Sequence, residues 1–506
     1  MPISEAATAL LQDRYLRAEI EALRISALQR RMLGRSMDVE TFNTSRLQRN
    51  LVSLARAVRR AAASTEGVPD SDVRNAARFV ARSYEQLAEA RSVNRSSMLM
   101  LAAVNYELAG YQANAATLAR LASDVSRLPL TQTPDLEQLV SLFLQRRFLR
   151  LSRSADSLTV ARDVTVEAGT VLEAANLLTQ QALAKASTYF LNGQASALLE
   201  AKDDLEVVHG AMVEIGAAPQ SLLVNGLRSI LPRLETTSIW SNLWPRLPES
   251  RLWNRYLMTL GRGMGSGGVL DARSISELWP SQLRALNEGI LSPSSRVVRM
   301  PTSAGKTRVA EMAIVHALAV RPGAKALYVG PFNALTNEVT AGLNDLFVDL
   351  GLSVSSLPGN YELSAVDEDA LDDDLLVLTP EKLDQLLRSN SQFIDEIDVV
   401  VLDEGHVVGE DNRGPKYELV ISRLRQRRPD TKFVALSAVV PDETLREFSE
   451  WLRASENPVS SQWRPTEQRL ALLRWKGSSG DLVYTQPGRM QHQSPERSCS
   501  ASSTQT

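Results

Sequence analysis

The sequence predicts two structural classes in one chain: an all-α region, then an α/β domain built on a parallel sheet with helices on both faces. Three observations predict this. From residue 1 to about 240 the chain is rich in Ala, Leu, Arg and Glu, with apolar residues recurring at helical spacing. A glycine-rich stretch, GRGMGSGG at residues 261–268, interrupts that pattern. Beyond it, short apolar runs alternate with helical segments, and strands alternating with helices require crossovers that leave the sheet parallel and covered on both faces. The expected division is an accessory helical region at 1–240, a linker and hinge at 241–275, an α/β domain at 276–470 and a disordered tail at 471–506.

Seven or eight helices are expected in the first region. Breaks are expected at Gly34-Arg35-Ser36, Gly67 to Asp70, Pro129 to Pro134 and Gly216 to Pro219. In one helix Leu99, Leu101, Val104, Leu108 and then Tyr111 are read as one apolar face, with Glu107 and Gln112 off it. Two segments, NYELAGYQANAATLARLA from Asn105 and TYFLNGQASALLEA from Thr188, share an aromatic, a glycine and a trailing small-residue helix. Their glycines are 83 residues apart, which is no multiple of a 34-residue helical repeat, so an irregular bundle is preferred. The glycine run could not stay helical without a large entropic penalty, hence the hinge. Strands are expected at VVRM from Val297, ALYVG from Ala326, LLVLT from Leu375, VVVLDE from Val399 and FVALSA from Phe433. The tail is dominated by Ser, Gln, Arg and Pro.

Composition narrows the function classes. With 506 residues, 44% hydrophobic and 23% charged, the chain has the make-up of an ordinary globular protein. A net charge of −3 excludes a globally basic nucleic-acid binder, so any polyanion contact must be local. The single cysteine, Cys499, permits no intrachain disulfide and no cysteine-ligated metal site, which fits a reducing cytoplasm. Charges interrupt the first apolar stretch, unlike a secretory signal, and no run of about 18 apolar residues suggests a membrane span. His209, His316, His406 and His492 have no metal-ligand spacing, and a GxSxG nucleophile turn is missing.

The chemistry concentrates in two motifs. Between strand RVVRM and helix RVAEMAIVHALAV lies Met300-Pro301-Thr302-Ser303-Ala304-Gly305-Lys306-Thr307. A loop there turns backbone N–H groups toward a polyphosphate at a helix N-terminus. Gly305 allows close approach, Lys306 supplies a point charge for β- and γ-phosphates, and Thr307 offers a hydroxyl to Mg²⁺. Met300 stands where a phosphate loop usually begins with glycine. Ninety-seven residues beyond Lys306, a buried strand runs into Asp403-Glu404-Gly405-His406. It would carry Asp403 toward Mg²⁺ and Glu404 toward the water that attacks the γ-phosphate, while His406 could link this site to its neighbours. Together the motifs imply ATP hydrolysis rather than simple anion binding.

PTSAGKT and DEGH resemble motifs I and II of superfamily 2 DEAD/DEAH-like helicases, in the superkiller-like branch. Further pieces resemble that family's motifs in order: Leu278-Trp279-Pro280-Ser281-Gln282 the upstream glutamine motif, Pro331-Phe332-Asn333-Ala334-Leu335 motif Ia, Thr379-Pro380-Glu381-Lys382-Leu383 motif Ib, and Leu436-Ser437-Ala438-Val439 motif III. The resemblance covers about residues 270 to 470 and implies a RecA-like domain that binds ATP and Mg²⁺. It implies that Gln282 reads the adenine edge, that Thr302, Ser303, Ala304, Gly305, Lys306, Thr307 and His406 surround the nucleotide, and that Ser437 and Ala438 couple it to strand movement. Val439 departs from the usual threonine and lacks its hydroxyl.

Loops after ALYVG and LLVLT should emerge on the edge that carries the phosphate site, where they can hold a single strand of DNA or RNA by its phosphates. Pro331, Asn333, Thr379 and Pro380 are the candidates. Basic clusters RLRQRRPDTK from Arg423 and LQRRFLR from Leu144 read as solvated helix faces rather than added contacts. The N-terminal helices are a possible surface for a protein partner. Nothing after Trp475 resembles the QxxGRxGR pattern of a second RecA-like domain, whose arginines the resemblance implies for full catalysis. Truncation or frameshift, or completion by another subunit, is therefore expected, with ATP binding but little hydrolysis by this chain. A non-hydrolysing, ATP-responsive interaction protein is the alternative. A phosphate-loop kinase would leave DEGH, PFNAL and LSAV without a shared explanation.

Overall fold

The structure, a computed structural model, describes residues 5–22, 44–63, 71–90, 94–125, 133–160, 171–247, 249–263, 273–357, 369–389, 392–409, 414–438, 442–455, 458–466, 470–476, 479–485 and 499–502. The helical region contains α1 (Glu5–Gln12), α2 (Thr44–Ala63), α3 (Ser71–Ala90), α4 (Arg95–Leu108) and α5 (Gln112–Ala122). It continues through α6 (Leu136–Leu144), α7 (Phe148–Val160), α8 (Val171–Asn192), α9 (Ala195–Glu214) and α10 (Ala218–Thr237). These exceed the seven or eight helices expected because several turns are very short. Gly110 and Gly193, at φ +84° and +82°, reverse the chain within a residue or two, in a conformation glycine adopts without steric cost. The break at Gly216 to Pro219 is where the sequence places it; those at residues 34–36 and 67–70, and most of 129–134, lie outside the described residues.

The segment read as linker and hinge instead holds α11 (Ile239–Asn242) and α12 (Arg251–Arg262). Trp253, Tyr256, Leu257 and Leu260 recur at helical spacing on α12 and are fully buried, so the helix is held by its apolar face. Gly261, read as part of the hinge, lies within α12, where a Cβ would stand 2.8 Å from the Leu191 carbonyl oxygen. Its missing side chain permits helix contact rather than flexibility.

The α/β domain adds α13 (Pro280–Asn287), β1 (Arg296–Arg299), α14 (Lys306–Val320), β2 (Lys325–Val329), α15 (Asn333–Leu350), β3 (Val354–Leu357) and β4 (Leu375–Leu378). It ends with α16 (Pro380–Arg388), α17 (Phe393–Glu396), β5 (Ile397–Leu402), α18 (Gly414–Arg427), β6 (Lys432–Ser437), α19 (Asp442–Trp451) and β7 (Val459–Ser460). The sheet order is β3-β4-β2-β5-β6-β1-β7, and every neighbouring pair is parallel. The five strands expected from sequence are the central ones. Both edge strands escaped, because β3 (VSSL) is only partly buried and β7 has two residues.

Alternation along β2 shows how the layers form. Ala326 and Tyr328 face a core shared with α14, α15 and the helical region, whereas Leu327 and Val329 face the layer containing α16 and α18. Helical region and sheet are thus one packed body. At the far end, β8 (Leu470–Lys476) and β9 (Ser479–Thr485) pair antiparallel, with β10 (Cys499–Ser502) added to β9. This corrects the disordered reading of 471–506 for those residues, because LALLRWK and DLVYT are apolar enough to pair; the other residues of the tail lie outside the described ones.

Candidate functional site

The loop after β1 is held from three sides. Met300 is fully buried, and its N–H donates to the Ser437 carbonyl at 2.9 Å, so the residue that replaces the usual glycine anchors the loop to the end of β6. The Ala304 N–H closes a turn on the Pro301 carbonyl at 3.1 Å. Ser303 and Gly305 lie at φ +71° and +88°; the first is a strained conformation for a residue with a Cβ, of the kind that concentrates at binding sites. A Cβ on Gly305 would come within 2.2 Å of Gln282 Nε2, so only glycine fits there. Lys306 opens α14, while Thr302, Ser303 and Thr307 are exposed and Ala304 is buried. Helix N-terminus and turned loop together give the partial positive charge that an anion needs.

Gln282 is brought against this loop. Its Oε1 accepts from the Trp279 N–H at 2.8 Å and its Nε2 donates to the Gly305 carbonyl at 3.4 Å. The neighbouring Ser281 hydroxyl donates to the Ala304 carbonyl at 2.8 Å.

The acid pair leaves β5. The Asp403 N–H donates to the Val329 carbonyl at 2.9 Å. Its carboxylate accepts from the Tyr328 hydroxyl at 2.6 Å on Oδ2 and from the Glu404 N–H at 2.9 Å on Oδ1. Burial pushes the Asp403 carboxyl above its ordinary range, opposed by the Tyr328 hydrogen bond, the Lys306 charge and the Glu404 amide. Burial, and then the Asp403 charge, hold the Tyr328 phenol well above its usual value. Glu404 sits at φ +47°, a second strained site. Its Oε1 accepts from Lys306 Nζ at 2.8 Å, closing a direct link between the two motifs, and its Oε2 makes no hydrogen bond. His406 Nδ1 lies 3.2 Å from both Glu404 Oε2 and the Ser437 hydroxyl. His406 therefore bridges the acid pair to the loop after β6, rather than standing with the phosphate loop. Ser437 is fully buried and Ala438 half-buried; Val439 lies outside the described residues.

This donor set suits a magnesium-bound nucleotide. Mg²⁺ is held by hard oxygens, using one or two carboxylates and leaving the rest to phosphates and water. Asp403 and the Thr307 hydroxyl supply such oxygens, and among the described residues no cluster of three His, Cys, Asp or Glu competes as a metal centre. Glu404 Oε2 makes no hydrogen bond and has His406 Nδ1 3.2 Å away, so it retains accepting capacity.

The expected nucleic-acid residues are less open. Pro331, Thr379 and Pro380 are buried, and the Thr379 hydroxyl has no hydrogen-bond partner. Asn333 begins α15, with its side chain outside the described residues. The exposed group on this edge is Phe332, 48% accessible, which the sequence reading passed over although an aromatic in such a loop was the available signal. Of the basic clusters, Arg423 pairs with Asp384 at 2.7 Å and Arg427 with Asp395 at 2.8 Å. In the other, Arg146 and Arg150 are buried, which corrects the solvated-face reading. Among the described residues no helix is long and apolar enough to cross a membrane.

The chain is similar in sequence to known helicases over part of its length. The model of the DEAD/DEAH box helicase family matches residues 279–448. The Hachiman protein HamB of Bacillus cereus is 29% identical over 345 residues, spanning 66% of this chain and 30% of that protein. The ATP-dependent DNA helicase Hel308 of Pyrococcus horikoshii is 38% identical over 201 residues, spanning 40% of this chain and 27% of the relative. The chain thus spans less than a third of either relative's length. Among solved structures, the DUF1998 helicase MrfA bound to DNA is similar at a TM-score of 0.34 and 21% identity, covering 41% of this chain and 29% of that one. The DEAD-box helicase Mss116 bound to ssRNA and UDP-BeF is similar at 0.37 and 18% identity, covering 44% and 45%.

Proposed function

We propose that this chain, which carries a superfamily 2 helicase domain of the DEAD/DEAH box family at residues 279–448, supplies the ATP- and Mg²⁺-binding part of a cytoplasmic motor that couples ATP hydrolysis to movement along a single strand of nucleic acid. The observation that carries the reading is the convergence of three loops at the carboxyl ends of β1, β5 and β6, with Lys306 and Glu404 in contact at 2.8 Å. Lys306 is the cation for the β- and γ-phosphates, and Gln282 with Trp279 borders the base. Thr307 and Asp403 would hold Mg²⁺, which when bound would neutralise phosphate charge. Glu404 is the base that orients the attacking water. Lys306 Nζ and Glu404 Oε1 hold one another at 2.8 Å, and a phosphate that draws Lys306 away would open Oε1 to a water. His406 then carries that change to Ser437, and the loops that hold Pro331, Asn333, Thr379 and Pro380, with Phe332 exposed beside them, border the path of a strand.

Equilibrium binding of ATP to wild type and to Lys306→Ala tests the site. The variant is expected to lose affinity by at least about tenfold, the factor for one charge-assisted contact. Equal affinity would remove the phosphate-loop assignment. ATP-dependent retention of single-stranded DNA and of single-stranded RNA, measured side by side, tests the track.

A further inference from the structure

Four charged side chains, distant in sequence, meet in a buried cluster between the helical region and the segment that leads into α13. Arg146, in the turn after α6, donates from Nη2 to Glu107 Oε1 at 2.9 Å and from Nε to Glu277 Oε1 at 3.1 Å. Arg233 on α10 also pairs with Glu107, and lies 3.9 Å from Glu277 Oε2. The Thr237 hydroxyl approaches the same Glu277 oxygen at 3.5 Å. All four charges are buried, Glu107 completely, and two acids face two arginines. Such a cluster is an expensive way to fill a core, since well-packed apolar residues often stabilise a fold as much or more. Its distinctive property is directional: the arginine fork fixes the carboxylates it holds.

What it fixes is the approach to Gln282. Residues 274–278 are tied to the helical region on both sides. The Ser274 N–H donates to the Arg146 carbonyl at 2.9 Å, Ile275 to Leu260 at 2.8 Å and Leu278 to Thr237 at 2.8 Å, while Ile239 donates to the Ser276 carbonyl at 3.0 Å. Arg146 itself is held at φ +60°, a strained conformation that the cluster maintains. The next residue, Trp279, donates its N–H to Gln282, and Gln282 donates to Gly305. Trp279 is also flanked by the Trp463 ring at 5.5 Å, and the Pro465 carbonyl accepts from Ala113 of α5 at 3.3 Å. The backbone from Glu277 to Trp279, and then the hydrogen bonds of Gln282, therefore connect the charged cluster to the loop before α14.

We propose that Arg146 and Glu277 are positioning residues for Gln282, so that the helical region sets the preference of the nucleotide site for adenine. This rests on the reading of Gln282 as the group beside the base, and the test separates the two. Affinities of the full chain for ATP, GTP and inorganic tripolyphosphate are measured by calorimetry for wild type, Gln282→Ala and Glu277→Gln. Gln282→Ala is expected to abolish the preference for ATP over GTP. Glu277→Gln, nearly the same shape without the charge, is expected to reduce that preference by about tenfold, the worth of one misplaced hydrogen bond, with tripolyphosphate affinity unchanged. A general loosening of the fold would weaken all three ligands together, and that result would overturn the proposal. An unchanged preference in Glu277→Gln, with the preference lost in Gln282→Ala, would also overturn it while leaving the nucleotide site intact. An unchanged preference in Gln282→Ala would overturn the reading on which it rests. If Glu277→Gln does not fold, Arg146→Lys, which keeps the charge and removes the fork, is judged by the same ratio.

Discussion

Replacing Tyr328 with phenylalanine isolates one hydrogen bond at the centre of the site. The ring is 1% exposed, so phenylalanine fills the same space and leaves no cavity. What disappears is a 2.6 Å hydrogen bond from the phenol to Asp403 Oδ2; the Glu404 N–H on Oδ1 remains. A buried hydrogen bond to a charged group is worth about 1.5 to 3 kcal/mol. In a domain of this size that corresponds to a fall in Tm of roughly 3 to 12 °C. The sign of the pH dependence follows from Asp403. Burial raises its folded carboxyl above the ordinary value and Tyr328 partly restrains that rise, so the Tyr328 bond matters most while Asp403 is ionised. The gap between wild type and Tyr328→Phe should therefore be full near neutral pH and should narrow as pH falls through the raised Asp403 value. Thermal unfolding followed at several pH values measures this directly, and titration of Mg²⁺ against nucleotide binding should show a higher Mg²⁺ requirement in the variant. A Tm within 1 °C of wild type across the range, with no change in Mg²⁺ requirement, would refute the assignment of Tyr328 as the support of Asp403.

Two other changes probe the packing around that site. Gly261→Ala places a methyl group 2.8 and 2.9 Å from the carbonyl oxygens of Leu191 and Phe190, backbone atoms that cannot turn aside, and should destabilise the chain by about 1 to 3 kcal/mol in thermal or urea unfolding. His316, edge-on to Trp253, is pushed down to about 4 by burial and then by the Lys432 charge. A depressed histidine contributes stability that is present above its unfolded value near 6.5 and is lost as pH falls through its folded value. His316→Leu should therefore flatten the decline of Tm between pH 6.5 and 4; an unchanged slope would place the acid sensitivity elsewhere.

What could be read from the sequence was what is local along the chain. The central strands, the loop before α14 and the acid pair that ends β5 are each runs of consecutive residues, so the pattern along the chain marks them. Tyr328 could not be found that way. On a buried strand it reads as one more apolar residue, and its partner Asp403 is 75 positions away. Glu107 was misread for a related reason. A charge beside an apolar stripe normally marks the solvated side of a helix, but α4 is buried from Met98 to Leu108, and the arginines that make Glu107 tolerable come from two other helices' ends. The tail was judged by average composition, which hid two short runs able to pair as strands.

Of the stretch read as linker and hinge at 241–275, residues 264–272, which hold most of the glycine run, lie outside the described residues, and much of the rest is helical. Composition changes there, and glycines follow, yet α12 is clamped between α8 and the helix that opens with Lys306. The sequence of α14 contains the warning. Val309, Ala310, Met312, Ala313, Ile314, Val315 and Leu318 leave almost no polar side, and all are buried. A helix apolar all round must be covered all round. The sheet covers one side of α14, so something outside the α/β domain had to cover the other, and only the preceding helices were available among the described residues. Even its charged Glu311 is buried, paired with Arg308 immediately after Lys306 and Thr307. The helix that presents Lys306 and Thr307 is therefore packed from behind by the accessory region. The proposed nucleotide site and those helices thus share one packed core.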